Sequence, residues 1–146
     1  MKFYAKNFSE LTNHELYGIL KARFQIFVLE QKYLRPDPDG CDTECLHCFL
    51  KDGDSVVACM RAQYTEESKT EVKIGRIVTL THGGGIGRLL MTESLAAIKE
   101  KMPFTRLFVH SRDTAVGYYK KMGFVPISDE FDDCGVPHIE MEYRGS

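Results

Sequence analysis

The alternation of apolar and polar residues along the chain predicts a series of β-strands. Residues 3–8 alternate in this way, as expected for a strand with one face on the core. Residues 55–64 and 71–80 are longer runs rich in apolar and β-branched residues, which are typical of buried strands. Shorter runs of the same kind predict further strands at residues 47–51, 106–110, 125–127 and 138–142.

Apolar residues at helical spacing predict a helix after the first strand. Thr12 and Glu15 have the spacing of a capping box, in which Thr12 is the N-cap and Glu15 the third helical residue. The helix is expected to extend to about Leu29. Its predicted buried face consists of Leu16, Ile19, Leu20, Phe24 and Phe27.

A glycine loop separates the strand at residues 71–80 from a second helix. The glycines are Gly83, Gly84, Gly85 and Gly87. Apolar residues at helical spacing carry the helix to about Pro103; they are Met91, Leu95, Ile98 and Met102. Glycine permits positive φ and a close approach of a ligand to the backbone. Because the first N–H groups of a helix lack intrahelical partners, this segment predicts a site for phosphate or pyrophosphate.

A third helix is predicted at residues 114–122, with Asp113 as its N-cap and Gly123 directly after its end. It follows the strand at residues 106–110, so its first turns are expected to face a cleft beside the glycine loop. The helix carries two adjacent tyrosines, Tyr118 and Tyr119, whose side chains lie about 100° apart on a helix. We therefore expect Tyr118 to face the core and Tyr119 to face the cleft.

Composition and charge narrow the class of protein. The chain of 146 residues is 43% hydrophobic and carries a net charge of −2, as is usual for one globular domain. There is no basic excess that would favour nucleic acid or an anionic membrane as a partner. No apolar run approaches the length of about 20 residues that spans a membrane, and we expect a cytoplasmic protein. We also allow for a homodimer.

Four segments resemble the GNAT N-acetyltransferase superfamily and its ElaA-like branch. Residues 82–87 resemble motif A, R/Q-x-x-G-x-G/A, with His82 in the Arg/Gln position. Residues 115–124 are similar to A-x-x-F/L-Y-x-x-x-G-F. Residues 27–31 resemble F-V-x-E-Q, and residues 135–141 resemble G-x-P-H-I-x-M, both from the ElaA-like branch. The segments follow one another in the order typical of the family.

The resemblance implies the α/β (α+β) fold of acyl-CoA acyltransferases in a single domain, residues 1–146. This fold has a mixed, mostly antiparallel sheet of six to seven strands with about four helices. The strands at residues 71–80 and 106–110 should separate along part of their length. A bulge in the strand at residues 71–80 should turn its backbone groups towards the cosubstrate, acetyl-CoA. The expected cofactor-binding residues are Ile77, Val78, Thr79, His82, Gly83, Gly84, Gly85, Ile86, Gly87, Arg88, Arg112 and Tyr119.

The reaction implied by the resemblance is the transfer of an acetyl group to the amine of a small molecule, by direct attack in a ternary complex. Tyr119 matches the family tyrosine that protonates the leaving thiolate. A base must take the proton of the amine. The candidates are Glu71, Glu30, Asp39, His47, His110 and His138. Glu30 and His138 are preferred, because both lie in segments that resemble the family.

Other interpretations stay open. A protein that binds acyl-CoA without catalysis would keep the glycine loop and need no base. Cys41, Cys45, His47 and Cys48 have a spacing compatible with zinc, although we expect no metal site. The five cysteines, an odd number, argue against a disulfide scaffold.

The composition of residues 35–48 predicts an irregular loop. Acidic residues lie within residues 37–44 and 129–133. They would favour a cationic acceptor if they line the acceptor pocket.

Overall fold

The fold of the chain combines one large sheet with three α-helices. The computed structural model describes residues 1–33, 36–65 and 68–145; the first residue of the predicted irregular loop, residue 35, lies outside them. The strands are β1 (Lys2–Asn7), β2 (Leu46–Asp52), β3 (Ser55–Tyr64), β4 (Glu71–Thr79), β5 (Arg106–Arg112), β6 (Phe124–Pro126), β7 (Phe131–Asp133) and β8 (Val136–Tyr143). The helices are α1 (Asn13–Arg23), α2 (Ile86–Lys101) and α3 (Val116–Lys121). None of the described helices is both long and apolar enough to cross a membrane.

The sheet has the spatial order β1-β2-β3-β4-β5-β8-β6, and β7 pairs with β8. All pairs are antiparallel except β4 with β5. The predicted mixed, mostly antiparallel sheet is therefore confirmed. Within the described residues it has eight strands rather than six to seven, and three α-helices accompany it rather than about four.

The additional strand is β7, which lies in a segment that the sequence predicts to be a loop. It is only three residues long and mostly acidic, so it has no hydrophobic pattern of its own. Its formation depends on β8, because Phe131 pairs with His138 and Asp133 with Val136. Cys134 and Gly135 join the two strands with φ of +54° and +83°. Positive φ at both residues is the geometry of the tight hairpin turns that match strand twist.

The first helix begins as predicted and ends differently. The hydroxyl of Thr12 accepts a hydrogen bond from the amide of Glu15, which confirms the capping box. After α1, residues Phe24–Glu30 form a π-helix, and the amide of Gln31 donates to the carbonyl of Ile26 at 2.8 Å. A π-helix places more residues in each turn, so the buried face rotates. The predicted face is therefore partly wrong: Ile26 is buried, whereas 52% of Phe24 is exposed.

The core lies on both faces of the sheet. On one face, α2 contributes Leu90, Met91, Leu95 and Ile98 to a cluster with alternate residues of the central strands. On the other face, Ile19, Ala22 and Ile26 pack against Phe49 and Val78. The alternation of strand side chains places Cys48 and Leu50 in the first cluster and Phe49 in the second. The central strands are thus covered on both sides, and their ends provide the open surface.

The two parallel strands separate halfway along their length. Pairing of β4 with β5 begins at Glu71–Arg106 and ends at Ile74–Val109, although both strands continue. Beyond this point β4 contains a bulge, because its register with β3 shifts from Cys59–Val78 to Arg61–Gly75. Arg76 lies in the bulge with a φ of +52°. Both the predicted splay and the predicted bulge in the fourth strand are confirmed.

A network of ion pairs holds the loop before β2 against the bulge. Its members are Arg23, Arg61, Arg76, Asp37, Asp39 and Asp42. Arg23 on α1 is 1% exposed and bonds Asp37 at 2.8 Å and Asp42 at 2.9 Å. Arg76 in the bulge bonds Asp37 at 2.9 Å and Asp39 at 3.3 Å. The network therefore connects α1, β3, the loop and β4.

This network also determines the charge of the loop. Hydrogen bonds from Arg61 hold the pKa of Asp39 well below its usual range. Burial alone would raise the pKa of Asp42, but its bonds to Arg23 and Arg61 outweigh burial and lower it. Asp39 and Asp42 are thus ionised and paired with arginines. They give no support to the expectation that the loop attracts a cationic acceptor.

We expect Asp42→Asn to destabilise the protein by about 3–5 kcal/mol at pH 7, because it leaves buried arginines without a charge partner. A carboxyl whose pKa is lowered by folding stabilises the native state above its unfolded pKa, near ~3.9. The difference between variant and wild type should therefore shrink as the pH falls from about 4. Urea unfolding at several pH values measures it, with the exposed Asp129→Asn as control. An equal difference at pH 7 and at low pH would contradict this prediction.

Candidate active site

The glycine loop opens α2 in a conformation that requires glycine. Gly83, Gly84 and Gly85 have φ of +83°, +70° and +76°. A Cβ at any of these positions would meet no atom within 4 Å, so the requirement is conformational rather than steric. Gly85 is the N-cap of α2, and its carbonyl accepts the first helical bond, from Leu89. The N–H groups of the first turn remain without helical partners and are available to an anion.

Gly87 is needed for a different reason, since its φ is not positive. A Cβ there would lie 3.3 Å from the ring of Tyr118. The hydroxyl of Tyr118 donates to the carbonyl of Gly87 at 2.7 Å. Burial raises the pKa of Tyr118 to about 12, which keeps this donor protonated. The pair fixes α3 against the first turn of α2.

A cavity of about 730 Å³ lies between the glycine loop and α3, and we call it the glycine-loop cavity. The predicted residues that line it are Ile77, Thr79, His82, Gly83, Gly85, Gly87, Arg88 and Tyr119. Lys121 also lines it, and no carboxylate does so among the described residues. A groove of about 390 Å³ continues from it with Arg88, Lys99 and Lys121. This arrangement of backbone donors and basic side chains fits a ligand with several phosphates.

A second, smaller cavity of about 160 Å³ lies where β4 and β5 part, and we call it the splay cavity. Its walls include Gly75, Arg76 and Ile77 of β4, and Val109, His110 and Arg112 of β5. Ile77, Ala115 and Tyr119 line both this cavity and the glycine-loop cavity. The two spaces therefore form one cleft. The side chain of Val78 on β4 is buried against α1. Only the backbone of Val78 can therefore face a ligand.

The two tyrosines of α3 are oriented differently from the prediction. Tyr119 is buried in the core cluster, whereas Tyr118 is half-buried beside the glycine loop. The reason is a 3₁₀ turn at Asp113–Ala115, which delays the start of α3 to Val116 and changes its rotation. For the same reason Asp113 does not cap α3. Tyr119 nevertheless lines both cavities at their junction.

The hydroxyl groups of these tyrosines are not equivalent. That of Tyr118 is committed to Gly87. That of Tyr119 has no hydrogen-bond partner within the part of the chain that the structure describes. Burial, with a smaller contribution from Tyr118, raises the pKa of Tyr119 above its ordinary value. A protonated hydroxyl at the junction of the two cavities is thus free to donate.

His138 lies in the wall of the splay cavity opposite α3. Its Nδ1–H donates to the carbonyl of Val136 at 2.8 Å, so Nε2 carries the lone pair in the neutral ring. Nε2 is 4.0 Å from a carboxylate oxygen of Asp133. The hydroxyl of Tyr33 donates to the carbonyl of Asp133 at 2.8 Å and holds the β7–β8 hairpin in place. An oriented imidazole with a free Nε2 can accept a proton.

Glu30, the other preferred base, lies elsewhere. Its carboxylate bonds Nε2 of His82 at 2.8 Å, and both side chains are largely exposed beside the glycine loop. Glu30 does not line the splay cavity, so the structure does not bring it together with His138. His82, expected to contact the cofactor, reaches the glycine-loop cavity but pairs with Glu30.

The remaining base candidates have structural partners. His110 donates to Glu140 at 2.9 Å, and burial lowers its pKa. His47 is buried and donates to the carbonyl of Asp42. Glu71 pairs with Arg106 at 3.4 Å. Asp39 belongs to the arginine network described above. Among the candidates, His110 and His138 line the splay cavity; the ring of His110 bonds a carboxylate, whereas that of His138 bonds only a backbone carbonyl and keeps Nε2 as an acceptor.

The cysteine segment is not arranged as a metal site in the described chain. The thiol of Cys45 donates to the carbonyl of Cys41, and Cys48 is buried in the core. Burial raises the pKa of both Cys45 and Cys48 to about 12. Both thiols are therefore protonated and enclosed by the protein.

Among the residues of the splay cavity that sequence reasoning missed are Phe27 and Gln31. Both lie in the F-V-x-E-Q segment, so the signal was present. Glu30 was preferred as a base because it lies in this segment, and Gln31 was given no role. The π-helix decides which side chains of this segment face the cavity, and no periodicity in the sequence indicates it.

Arg112, expected to contact the cofactor, lines the splay cavity and not the glycine-loop cavity. Its Nη1 donates to the side-chain oxygen of Gln31. Its guanidinium lies over the ring of Tyr33, 5.7 Å from the centroid. It is therefore near the same end of the cleft as His138.

Comparison with known proteins agrees with this geometry. Residues 42–144 match the acetyltransferase (GNAT) domain. The chain is 33% identical over 144 residues to a UPF0039 protein of Schizosaccharomyces pombe, covering 97% of this chain and 95% of that protein.

Solved structures give the same result. An acyl-CoA N-acyltransferase from Pseudomonas aeruginosa superimposes with a TM-score of 0.89 at 28% identity, covering 98% of this chain and 99% of that one. Escherichia coli ElaA superimposes with a TM-score of 0.89 at 26% identity, again covering 98% and 99%. Glycine loop, bulge and splayed strands all lie within the matched regions, and the chain belongs to the GNAT acetyltransferase superfamily, in its ElaA-like branch.

Proposed function

We propose that the protein is an N-acetyltransferase that transfers the acetyl group of acetyl-CoA to the amine of a small molecule. The observation that carries this proposal is the single cleft formed by the glycine-loop cavity and the splay cavity. Tyr119 lies at the junction of the two, and His138 lies in the wall of the narrow end. The cleft thus has a phosphate-binding end, a narrow middle and a proton acceptor.

The wide end of the cleft suits the CoA moiety. The N–H groups that open α2 are candidates for the pyrophosphate, because they lack helical partners. Arg88 and Lys121 provide positive charge in the same cavity, and Arg88 lines the adjoining groove as well. The pantetheine arm would extend past Ile77 and Tyr119 towards the splay cavity.

The narrow end suits the reaction. The amine nitrogen attacks the thioester carbonyl carbon; the N–C bond forms and the C–S bond breaks. Backbone N–H groups of the β4 bulge, at residues 76–79, are candidates for the donors that stabilise the oxyanion. Nε2 of His138 takes the proton of the amine, and the hydroxyl of Tyr119 gives its proton to the thiolate. The products are the amide and free CoA.

Replacing Gly85 by valine should weaken CoA binding by about tenfold or more, because a β-branched residue at a φ of +76° forces the loop to rearrange. Isothermal titration calorimetry with CoA measures this. The matched control is Gly117→Val in α3, where the φ is not positive and a Cβ would meet nothing within 4 Å. Unchanged CoA affinity in Gly85→Val would remove the glycine loop from the binding site.

Tyr119→Phe should lower kcat by ~10²–10⁴-fold with little change in CoA affinity, because it removes only the proton donor. The loss should be smaller with acyl donors whose thiols are more acidic. Tyr118→Phe is the matched control: it removes the bond to Gly87 and should affect CoA affinity instead. Steady-state kinetics and calorimetry separate the two effects. A Tyr119→Phe enzyme with full kcat would mean that another group protonates the thiolate.

His138→Gln should lower kcat/KM by ~10²–10⁴-fold, because glutamine cannot accept the proton. Glu30→Gln serves as the control and should change the rate only a few-fold, since Glu30 lies outside the splay cavity. Release of free CoA, followed with a thiol reagent, measures both. If Glu30→Gln were the more damaging change, the roles proposed for the two residues would have to be exchanged. A protein that binds CoA but acetylates no amine would indicate a non-catalytic acyl-CoA-binding protein.

A further inference from the structure

The arginines of the chain divide into two groups. Of the seven that the structure describes, five pair with carboxylates: Arg23, Arg61, Arg76, Arg106 and Arg144. Within the described residues, Arg88 and Arg112 have no carboxylate partner. Arg88 lines the glycine-loop cavity and Arg112 the splay cavity. Both unpaired guanidinium groups therefore face the cleft, one at each end.

The surroundings of Arg112 leave its charge unbalanced. Its two described partners, the amide of Gln31 and the ring of Tyr33, are neutral. Its Nε is buried and has no hydrogen-bond partner among the described residues. A partly desolvated guanidinium with an unsatisfied N–H is costly unless an anion binds there. Arg112 is thus a preformed anion site in the splay cavity.

The other arginines near this end of the cleft are not available for the same role. Arg76 lines the splay cavity and Arg61 a neighbouring cavity of about 350 Å³. Each of them already bonds two aspartates of the network. An added anion would have to compete with these carboxylates, whereas Arg112 has none to displace.

The position of Arg112 relative to His138 limits the shape of the ligand. The two residues are direct partners in the β5–β8 register, and both line the splay cavity. Cross-strand partners of this kind have Cβ atoms about 4.5–5.5 Å apart. A ligand that places an amine at Nε2 of His138 and an anion on Arg112 must therefore carry the two groups close together. The cavity of about 160 Å³ also admits only a compact head group.

We infer that the acceptor is an amino carboxylate, such as a free α-amino acid, and that Arg112 binds its carboxylate while the amine faces His138. This inference rests on the proposed function. Arg112 is then a specificity-determining residue, and its guanidinium donates charge-assisted hydrogen bonds to the carboxylate. The neighbouring cavity of about 350 Å³, which shares His110 and His138 with the splay cavity, can receive the acceptor's side chain.

The test compares matched acceptors that differ only in this charge. Each α-amino acid of a panel is paired with its α-carboxamide, and amines without any carboxylate are added. CoA release from acetyl-CoA gives kcat/KM for each acceptor, and calorimetry gives CoA affinity. Arg112→Gln, Arg112→Lys and Arg88→Gln are compared with wild type, and their thermal unfolding verifies that each variant folds.

We expect wild type to favour acids over carboxamides by about tenfold or more, as a charge-assisted bond allows. Arg112→Gln should abolish this preference, slow the acids selectively and leave CoA affinity unchanged. Arg112→Lys should retain part of the preference. Arg88→Gln should do the opposite, weakening CoA binding while keeping the preference. A general loss of stability could not produce opposite effects of Arg112→Gln and Arg88→Gln on acceptor preference and CoA affinity.

Four results would overturn the inference while leaving the proposed function intact. Wild type could acetylate carboxamides, or amines without a carboxylate, as efficiently as it acetylates amino acids. It could also acetylate no member of the amino-acid panel. Arg112→Gln could weaken CoA binding as much as Arg88→Gln, which would assign Arg112 to the cofactor. It could also slow acids and carboxamides equally, which would place it at the reacting carbonyl. Failure of wild type to bind CoA would instead overturn the proposed function.

Discussion

The separation of β4 from β5 after Ile74 and Val109 is the constraint on which the site depends. Inside a sheet, each strand satisfies its N–H and C=O groups through its neighbours. Where two central strands part, these groups lose their partners in the middle of the fold rather than at its edge. The bulge in β4 increases the effect, because it turns further backbone groups out of the ladder with β3. A ligand in the gap could bond these groups in place of the missing strand.

The network of arginines and aspartates keeps this gap open. Arg76 adopts a φ of +52°, a conformation that costs a side-chain-bearing residue about 1–2 kcal/mol. Its guanidinium is held by Asp37 and Asp39. The same loop is bound by the buried Arg23 of α1. The strained residue, the loop and the helix thus support one another. A change in any of them would move the bulge and with it the backbone that lines the splay cavity.

Regular patterns in the sequence predicted the regular parts of this structure. The strand at Ser55–Tyr64 and the Thr12–Glu15 capping box both depend on neighbours in the chain, and both were predicted correctly. The glycine loop was predicted for the same reason, since positive φ at Gly83–Gly85 is a local requirement. The family resemblance contributed the splay and the bulge.

What could not be predicted depends on contacts between distant residues. The strand β7 exists only because it pairs with β8. The π-helix at Phe24–Glu30 and the 3₁₀ turn at Asp113–Ala115 each shift the rotation of side chains that a regular helix would place elsewhere. For that reason Phe24 is exposed and Tyr119 is more buried than Tyr118. From the sequence alone, the acidic residues of the loop before β2 predict a negatively charged surface. In the structure they pair with arginines of α1, β3 and β4, which are distant in the sequence.

The distribution of charge along the cleft depends on which carboxylates form ion pairs with arginines in the folded protein. The network pairs Asp37, a carboxylate in the wall of the splay cavity, with Arg23 and Arg76. Positive charge is left at the two ends of the cleft, on Arg88 and Arg112, and the junction between them is formed by Ile77, Ala115 and Tyr119. An apolar junction excludes water and strengthens each electrostatic interaction near it. The proposed proton transfers to His138 and from Tyr119 would then take place between groups held by the fold, with little solvent to reorganise.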